Sequence, residues 1–343
     1  MNRTLAWLLA ILVGLDVVLR LNAERIEVYE VDNARESFVK MDAYRAPDLA
    51  LLGSSRADVG LKNDVFKGRR ALGVEAAAVY NLGVAHGGVL SWMFARNTVL
   101  RQPPKAAILG TSMFELNGSY QDPGVALLRP RDYLAYCRLR FGLEQTWQWA
   151  VSQADLGLDR TWRLYRYRKA LELLAYDAVG RLVPRLRANA FTLTQRQKEK
   201  RKQALAAVDG WRSIYLDTNL EDLKKEPGFR ARYKNLENFH VGAVNKALYE
   251  QVVDGLLERG VKVALAHIPV SKTMHEASYT PAMWAEYTGY LEELARSRGI
   301  PFILLSREDC GLTDADFSDL DHLTPAGAEK FSRRLLRELE RIK

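Results

Sequence analysis

One segment of this sequence has residue types and spacing that could support catalysis. An acid lies three residues before a histidine, and a helix start follows directly. The segment reads Asp319-Leu320-Asp321-His322-Leu323-Thr324-Pro325-Ala326-Gly327. On a tight turn, Asp319 could bind one imidazole nitrogen of His322 and leave the other nitrogen for a serine. Thr324 suits a helix cap, and Pro325 suits the first helical position. The pattern predicts a catalytic base with its orienting acid, and an ordinary solvated loop is the alternative.

The matching nucleophile lies far upstream, at the end of an apolar run of strand length. That run reads Asp48-Leu49-Ala50-Leu51-Leu52-Gly53-Ser54-Ser55-Arg56. A continuous apolar run is typical of a buried parallel strand, and small residues at its end allow a sharp turn. The alternative is a plain turn from strand to helix, with Ser54 or Ser55 only capping the helix.

Strands and helices alternate through most of the chain after residue 47, which predicts a parallel sheet covered on both faces. The expected strands are Leu49–Leu52, Ala77–Leu82, Ala106–Leu109, Val261–His267 and Phe302–Leu305. The expected helices include Val89–Arg101, Val244–Arg259, Ala282–Arg298 and Pro325–Ile342. Residues 118–240 break this rhythm, and we interpret them as a helical insertion between the third and fourth strands.

In an open parallel sheet, ligands bind beyond the carboxyl ends of the strands. Small and polar residues follow each expected strand here, in the segments 53–55, 81–88, 110–117, 267–271 and 319–322. Glycines in the second of these segments would let backbone N–H groups approach a ligand closely. A serine hydrolase needs its nucleophile, its oxyanion donors and its base at this edge.

In these blocks the chain resembles the SGNH (GDSL-like) hydrolase superfamily. More narrowly, it resembles the membrane-anchored branch that includes the teichoic-acid D-alanyl transfer protein and the alginate O-acetylation proteins. The blocks occur in family order and read Leu52-Gly53-Ser54-Ser55-Arg56, Asn81-Leu82-Gly83, Leu109-Gly110-Thr111-Ser112 and Asp319-Leu320-Asp321-His322-Leu323. The resemblance covers about residues 46–117 and 244–342. It implies a flavodoxin-like three-layer α/β sandwich with a five-stranded parallel sheet.

The resemblance also implies a Ser-His-Asp triad. Ser55 would be the nucleophile, His322 the base and Asp319 its orienter, with Asp321 or Asp316 as alternatives to Asp319. The oxyanion hole would use the Ser55 N–H and a backbone N–H near His86 or Gly87, together with Ser112.

The sequence departs from the family in this region. Ser54 replaces the usual Asp of the first block, and His86 falls where many relatives have glycine. Ser112 stands where relatives have an asparagine, so its hydroxyl or backbone would have to replace that side chain, unless Asn117 reaches in from the loop.

Three residues near the strand ends are candidates for contact with a substrate: Arg56, Asn117 and His267. Each also has a structural interpretation. Arg56 could pair with an acid at the sheet edge, and His267 could simply pack at the end of its strand.

The N-terminal residues predict an association with a membrane. Residues 1–22 contain a run from Thr4 to Leu21 with little polarity, just long enough to cross a bilayer. We interpret it as an uncleaved anchor, with a cleaved signal or a buried helix as alternatives. Residues 23–47 would form a stalk, and residues 48–343 the SGNH-like domain. The expected location is the inner (cytoplasmic) membrane, single-pass, with the catalytic domain on the periplasmic side.

The charge of the chain is local and therefore does not indicate a nucleic-acid-binding protein. The formal net charge is +8, but thirteen Lys or Arg residues and only three acids fall between Arg160 and Lys202. That segment belongs to the predicted insertion. It could pack as ordinary helices, or it could bind an anionic glycan or lipid headgroups.

The sequence contains no recognisable metal-binding spacing, and we expect no metal and no cofactor. Its five histidines are scattered, and its two cysteines, Cys137 and Cys310, do not make a disulfide framework.

We therefore expect an exported, membrane-tethered esterase or acyltransferase, with an acylated polysaccharide or another envelope compound as substrate. The acyl group would be an O-acetyl group, and the resemblance implies a membrane-embedded acyl-transfer partner. The alternative is a catalytically inactive protein of the same fold that assists envelope or polysaccharide assembly.

Overall fold

The computed structural model describes residues 3–22, 40–84, 88–118 and 238–342, with scattered positions between 147 and 236. The chain divides into two compact units. The first comprises residues 1–32 and 146–214, and the second comprises residues 33–145 and 215–343. The sheet and the candidate site belong to the second unit. Most of the predicted insertion at 118–240 lies outside the described residues.

The second unit is built on a five-stranded parallel sheet. Its strands are β1 (Leu49–Ser54), β4 (Val79–Val84), β5 (Ala106–Thr111), β6 (Lys262–His267) and β7 (Phe302–Ile303). Their order across the sheet is β4-β1-β5-β6-β7. Strands β1 and β5 are buried along their whole length, as their continuous apolar runs predict. The predicted α/β class and the five parallel strands are confirmed.

Helices flank the sheet in the second unit. They are α2 (Ser55–Gly60), α3 (Asn63–Phe66), α4 (Val89–Arg101), α5 (Met113–Leu116), α6 (Ala243–Leu257), α7 (Lys272–Ser278), α8 (Pro281–Arg298) and α9 (Pro325–Glu340). Helix α9 shows why they pack against the core. Its buried residues Ala328, Phe331, Leu335 and Leu339 recur at helical spacing on one face.

A short antiparallel hairpin, β2 (Arg69–Ala71) and β3 (Val74–Ala76), was not predicted. Its turn places Leu72 at φ 53° and Gly73 at φ 70°. Such hairpins usually carry Asn-Gly or Asp-Gly at these two positions, because leucine rarely adopts a positive φ. The Leu72-Gly73 pair therefore gave no hairpin signal in the sequence. Burial of Leu72 and its N–H bond to Leu339 O (3.2 Å) hold it in this conformation.

In the first unit, residues Arg3–Leu21 form a helix, α1, in which Arg20 pairs with Asp16 at 2.7 Å. The transmembrane helix predicted for this segment is not found. Across the described ranges, no helix is both long and apolar enough to cross a bilayer.

Three glycines lie side by side where the central strands end. Gly53 of β1 is in register with Gly83 of β4 on one side and with Gly110 of β5 on the other. A Cβ atom on Gly83 would lie 2.5 Å from the backbone of Asp58, and one on Gly110 would lie 3.1 Å from Ala57 Cβ. These glycines therefore let helix α2 pack directly on the sheet, with Ser55 at its first position.

Asn81 fixes the same helix from the neighbouring strand. Its side-chain amide donates to Ala57 O (3.0 Å), Asp58 O (3.2 Å) and Leu61 O (2.8 Å), while its carbonyl accepts from Gly83 N–H (2.8 Å). These bonds add to the backbone bond from Leu61 N–H to Ala57 O (3.0 Å) and hold the C-terminal end of α2. The Asn-Leu-Gly block thus positions the helix that carries Ser55.

Candidate active site

The turn that carries His322 is closed by backbone bonds on both sides. Ser318 N–H donates to His322 O at 2.8 Å, and Phe317 and Leu323 form an isolated antiparallel bridge. Thr324 Oγ1 then accepts from Gly327 N–H (3.1 Å) at the start of helix α9, so the predicted helix cap is confirmed. The imidazole is therefore carried on a fixed turn.

Ser55 and His322, 267 residues apart in sequence, are in direct contact. His322 Nε2 lies 2.8 Å from Ser55 Oγ, which is hydrogen-bond distance. The other ring nitrogen, Nδ1, lies 2.9 Å from Asp319 Oδ2 and 3.0 Å from Asp319 Oδ1. This is the order of contacts in a Ser-His-Asp triad, with nucleophile, base and orienting carboxylate in line.

Asp319 is itself held by the backbone of its own turn. Its Oδ1 accepts from the N–H groups of Asp321 (3.0 Å) and His322 (2.8 Å). The carboxylate is thereby fixed against the ring. Asp316, one of the alternatives to Asp319, instead binds Lys330 at 2.8 Å.

Asp321 also contacts the histidine, and the sequence did not predict that both acids would do so. Its Oδ1 lies 3.1 Å from His322 Nδ1, while its Oδ2 binds the Arg56 guanidinium. The sequence offers Asp321 only as an alternative to Asp319. The available signal was its position directly before His322, although that position alone does not show where the side chain points.

The two carboxylates determine the protonation of the base. Burial by itself lowers the pKa of His322, but the charges of Asp321 and Asp319 outweigh it and raise this pKa to about 10. Burial likewise raises the pKa of Asp321, yet Arg56 and His322 hold that pKa well below its usual range. At neutral pH we therefore expect the His322 ring to be protonated, with both carboxylates on its Nδ1 side.

A second buried network lies beside the triad, centred on Glu115. Its Oε2 accepts from Ser112 N–H (2.8 Å) and Ser112 Oγ–H (2.5 Å), and its Oε1 binds Arg56 (3.3 Å) and the Ser54 hydroxyl. Ser54 Oγ also caps α2 by accepting from Arg56 N–H. Sequence reasoning missed Glu115, although Ser112-x-x-Glu115 has the spacing of a helix capping box.

The contacts of Ser54 and Ser112 bear on the two interpretations of the serine turn. Ser54 is the helix cap, which leaves the Ser55 hydroxyl for His322. Both polar groups of Ser112 are directed at Glu115, so neither points to an oxyanion in this arrangement.

The remaining oxyanion donors stay predictions. The Ser55 N–H is the first of helix α2 and has no partner within that helix. His86 and Gly87 lie outside the described residues.

The three predicted substrate contacts are deeply buried. Arg56 forms ion pairs with Asp321 and Glu115, and its guanidinium lies 4.0 Å from the centre of the Phe114 ring. His267 Nδ1 lies 3.0 Å from Tyr287 Oη, and burial together with nearby His275 lowers the His267 pKa to about 3. Asn117 is fully buried and bridges to Val241. These contacts are structural, and binding roles for the three residues stay predictions.

A histidine and two carboxylates are also ligand types for divalent cations. Asp319, Asp321 and His322 each place one such ligand atom within 4.8 Å of those of the other two. The ring nitrogens are already engaged, Nδ1 with the carboxylates and Nε2 with Ser55, and Arg56 brings a positive charge onto Asp321. In this arrangement the three side chains form a hydrogen-bond network with Ser55 and Arg56.

No protein-family model matches this chain. A comparison with curated proteins likewise finds no significant match.

Proposed function

We propose that this protein is a serine esterase or acyltransferase of SGNH type, with Ser55 as nucleophile, His322 as base and Asp319 as orienting acid. The observation that carries the proposal is the 2.8 Å contact between Ser55 Oγ and His322 Nε2, with Asp319 on the opposite ring nitrogen. These two residues come from opposite ends of the domain and meet where the strands of a parallel sheet end, which is the usual place for a ligand site.

The chemistry follows from the contacts. Ser55 Oγ would bond the acyl carbon of an ester while its proton passes to His322 Nε2. The tetrahedral intermediate would collapse to an acyl-serine, and the leaving alcohol would take the proton from Nε2. Water or a sugar hydroxyl, deprotonated by the same nitrogen, would then release the acyl group and restore Ser55.

The protonation of His322 sets a condition on this reaction. An imidazolium donates from Nε2 and has no lone pair there to accept the serine proton. The reactive form is therefore the neutral ring, whose fraction grows as the pH approaches the His322 pKa of about 10. Acylation of Ser55 should accelerate with rising pH through the neutral and mildly alkaline range.

The substrate class rests on the family resemblance in the four sequence blocks. On that basis we propose an O-acylated polysaccharide or another envelope compound as substrate, with O-acetyl as the acyl group and a membrane-embedded acyl-donor protein as partner. An extracytoplasmic location belongs to the same proposal.

A non-catalytic assembly protein of the same fold is the second candidate, and Ser112 favours it. Relatives have a side-chain amide donor at this point, whereas the Ser112 hydroxyl and N–H both bind Glu115. Loss of one oxyanion donor typically costs about 10²- to 10³-fold in rate, so a slow or silent site would be the outcome.

Labelling with a fluorophosphonate probe separates the two candidates. We expect the full chain to be labelled at a rate that rises from pH 7 to pH 10, because the probe reacts only with an activated serine. Ser55→Ala should abolish the labelling, and Ser297→Ala, an exposed serine near the end of α8, should leave it unchanged. Absence of labelling across this pH range would support the non-catalytic candidate. Equal labelling of Ser55→Ala would rule out Ser55 as the nucleophile.

A further inference from the structure

His322 has more negative charge around Nδ1 than a triad requires. One carboxylate is enough to fix the tautomer and stabilise the imidazolium. In this site Nδ1 lies 2.9 Å from Asp319 Oδ2 and 3.1 Å from Asp321 Oδ1. Asp319 is the acid that the backbone of the turn holds in place, so the second acid needs a separate explanation.

Asp321 differs from Asp319 because its other oxygen is held from a different part of the fold. Its Oδ2 binds the guanidinium of Arg56, the residue that follows the nucleophile on α2. Arg56 is only 9% exposed and also binds Glu115 at 3.3 Å. The Asp321 carboxylate thus lies between His322 and a buried cation, and it interacts electrostatically with both.

We infer that Asp321, held by Arg56, is a positioning residue that sets the pH range in which His322 can act as a base. The inference rests on the proposed function, since it concerns the base of that reaction. Asp321 touches no reacting atom and acts only through the imidazole. Arg56 limits the effect because part of the Asp321 charge is neutralised by the guanidinium.

The described charged and titratable groups around the ring come from four elements. Asp319 and Asp321 lie on the turn of His322 itself, and Arg56 lies on α2. Glu115 on α5 contacts Arg56, and Tyr279, at the end of α7, interacts electrostatically with Arg56 and Asp321. Of these groups, Asp321 is the acid that contacts both the base and the cation.

The test uses Asp321→Asn with Asp321→Glu as its charge-conserving control, both in the full chain. We expect the pH midpoint of Ser55 labelling in Asp321→Asn to fall by about 1–3 units, the usual effect of a neighbouring charge. Asp321→Glu should stay near the parent midpoint. Asp319→Asn should instead lower the rate by about 10⁴-fold at every pH, because it disturbs the tautomer.

A second readout does not depend on catalysis. The protonation midpoint of the His322 ring can be followed by nuclear magnetic resonance of histidine-labelled protein in a Ser55→Ala background, and His322→Gln assigns the signal among the five histidines. The same downward shift is expected in Asp321→Asn. An unchanged midpoint in this variant, or an equal shift in Asp321→Glu, would overturn the inference.

The two proposals can fail separately. If the parent shows no Ser55-dependent labelling at any pH, the proposed function fails, while the resonance midpoints still decide the role of Asp321.

Stability gives a further check, with a defined sign. Because the pKa of His322 is raised on folding, its contribution to stability is complete below about pH 6.5, the value for a free histidine, and is lost as the pH rises towards about 10. The parent should therefore lose thermal stability over this range more steeply than Asp321→Asn. Parallel curves for the two proteins would contradict the inference.

Discussion

Replacing His322 with glutamine is expected to lower the rate of Ser55 acylation by about 10⁴-fold or more, as loss of a triad base does in serine hydrolases. Glutamine can still form a hydrogen bond to the Ser55 hydroxyl at the position of Nε2, but it cannot take the serine proton. The measurement is the initial rate of fluorophosphonate labelling at pH 10, where about half of the parent imidazole is neutral.

A second histidine provides the control for this experiment. His240 is exposed, and its Nδ1 lies 3.2 Å from Asn238 O. It has no part in the proposed reaction. His240→Gln should label at the parental rate. A His322→Gln rate within about tenfold of the parent would show that the serine is activated in some other way, since a true triad base contributes far more.

Adding one methyl group at Gly53 is expected to destabilise the fold by about 2–4 kcal/mol, combining an overpacked contact with an unfavourable φ. Gly53 has φ 155°, and a Cβ there would lie 2.5 Å from Gly110 O and would also collide with Ala57 Cβ. Neither neighbour can yield easily, because one is strand backbone and the other belongs to helix α2. The free energy of unfolding of Gly53→Ala, measured by denaturant titration, tests this prediction.

Gly289 is a matched control for the same substitution. It lies exposed within α8, and a Cβ there meets nothing within 4 Å. Gly289→Ala should be neutral or stabilise the protein by about 0.5–1 kcal/mol, because alanine loses less backbone entropy in a helix. A Gly53→Ala variant as stable as Gly289→Ala would mean that helix α2 does not pack closely against Gly53, Gly83 and Gly110.

The elements that hold Ser55 and His322 were predictable because their signals are local. A buried apolar run ending in Gly-Ser-Ser indicates a strand and a sharp turn. Thr324-Pro325 marks a helix start within a few residues of His322. Parallel strands bring their carboxyl ends to one edge, which placed both segments on the same side of the predicted sheet. The resemblance to the SGNH superfamily then implied that Ser55, His322 and Asp319 would come together.

The surroundings of the triad could not be predicted in the same way. The contact between Arg56 and Asp321 joins residues 265 positions apart, and the contact between Arg56 and Glu115 joins residues 59 apart. Which acid a buried arginine selects depends on how the His322 turn packs against α2, and no local pattern encodes that packing. The same limit applies to Ser112, whose partner Glu115 determines whether its hydroxyl is available to a ligand.

The charge at the base is the main consequence of these long-range contacts. A sequence motif of one acid and one histidine suggests an ordinary triad that is active at neutral pH. The pair of carboxylates raises the His322 pKa to about 10 and so predicts activity that is still rising as the pH approaches 10. Assays at pH 7 alone would therefore underestimate the proposed activity.

The central claim is that Ser55, and not its neighbour Ser54, is the nucleophile. Tryptic digestion after fluorophosphonate labelling at pH 10 should release the peptide 46–56, which ends at Arg56 and contains only these two serines. The probe mass is expected on the C-terminal fragment Ser55-Arg56 in tandem mass spectrometry. A probe mass on Ser54, on another peptide, or on no peptide at all would contradict the account.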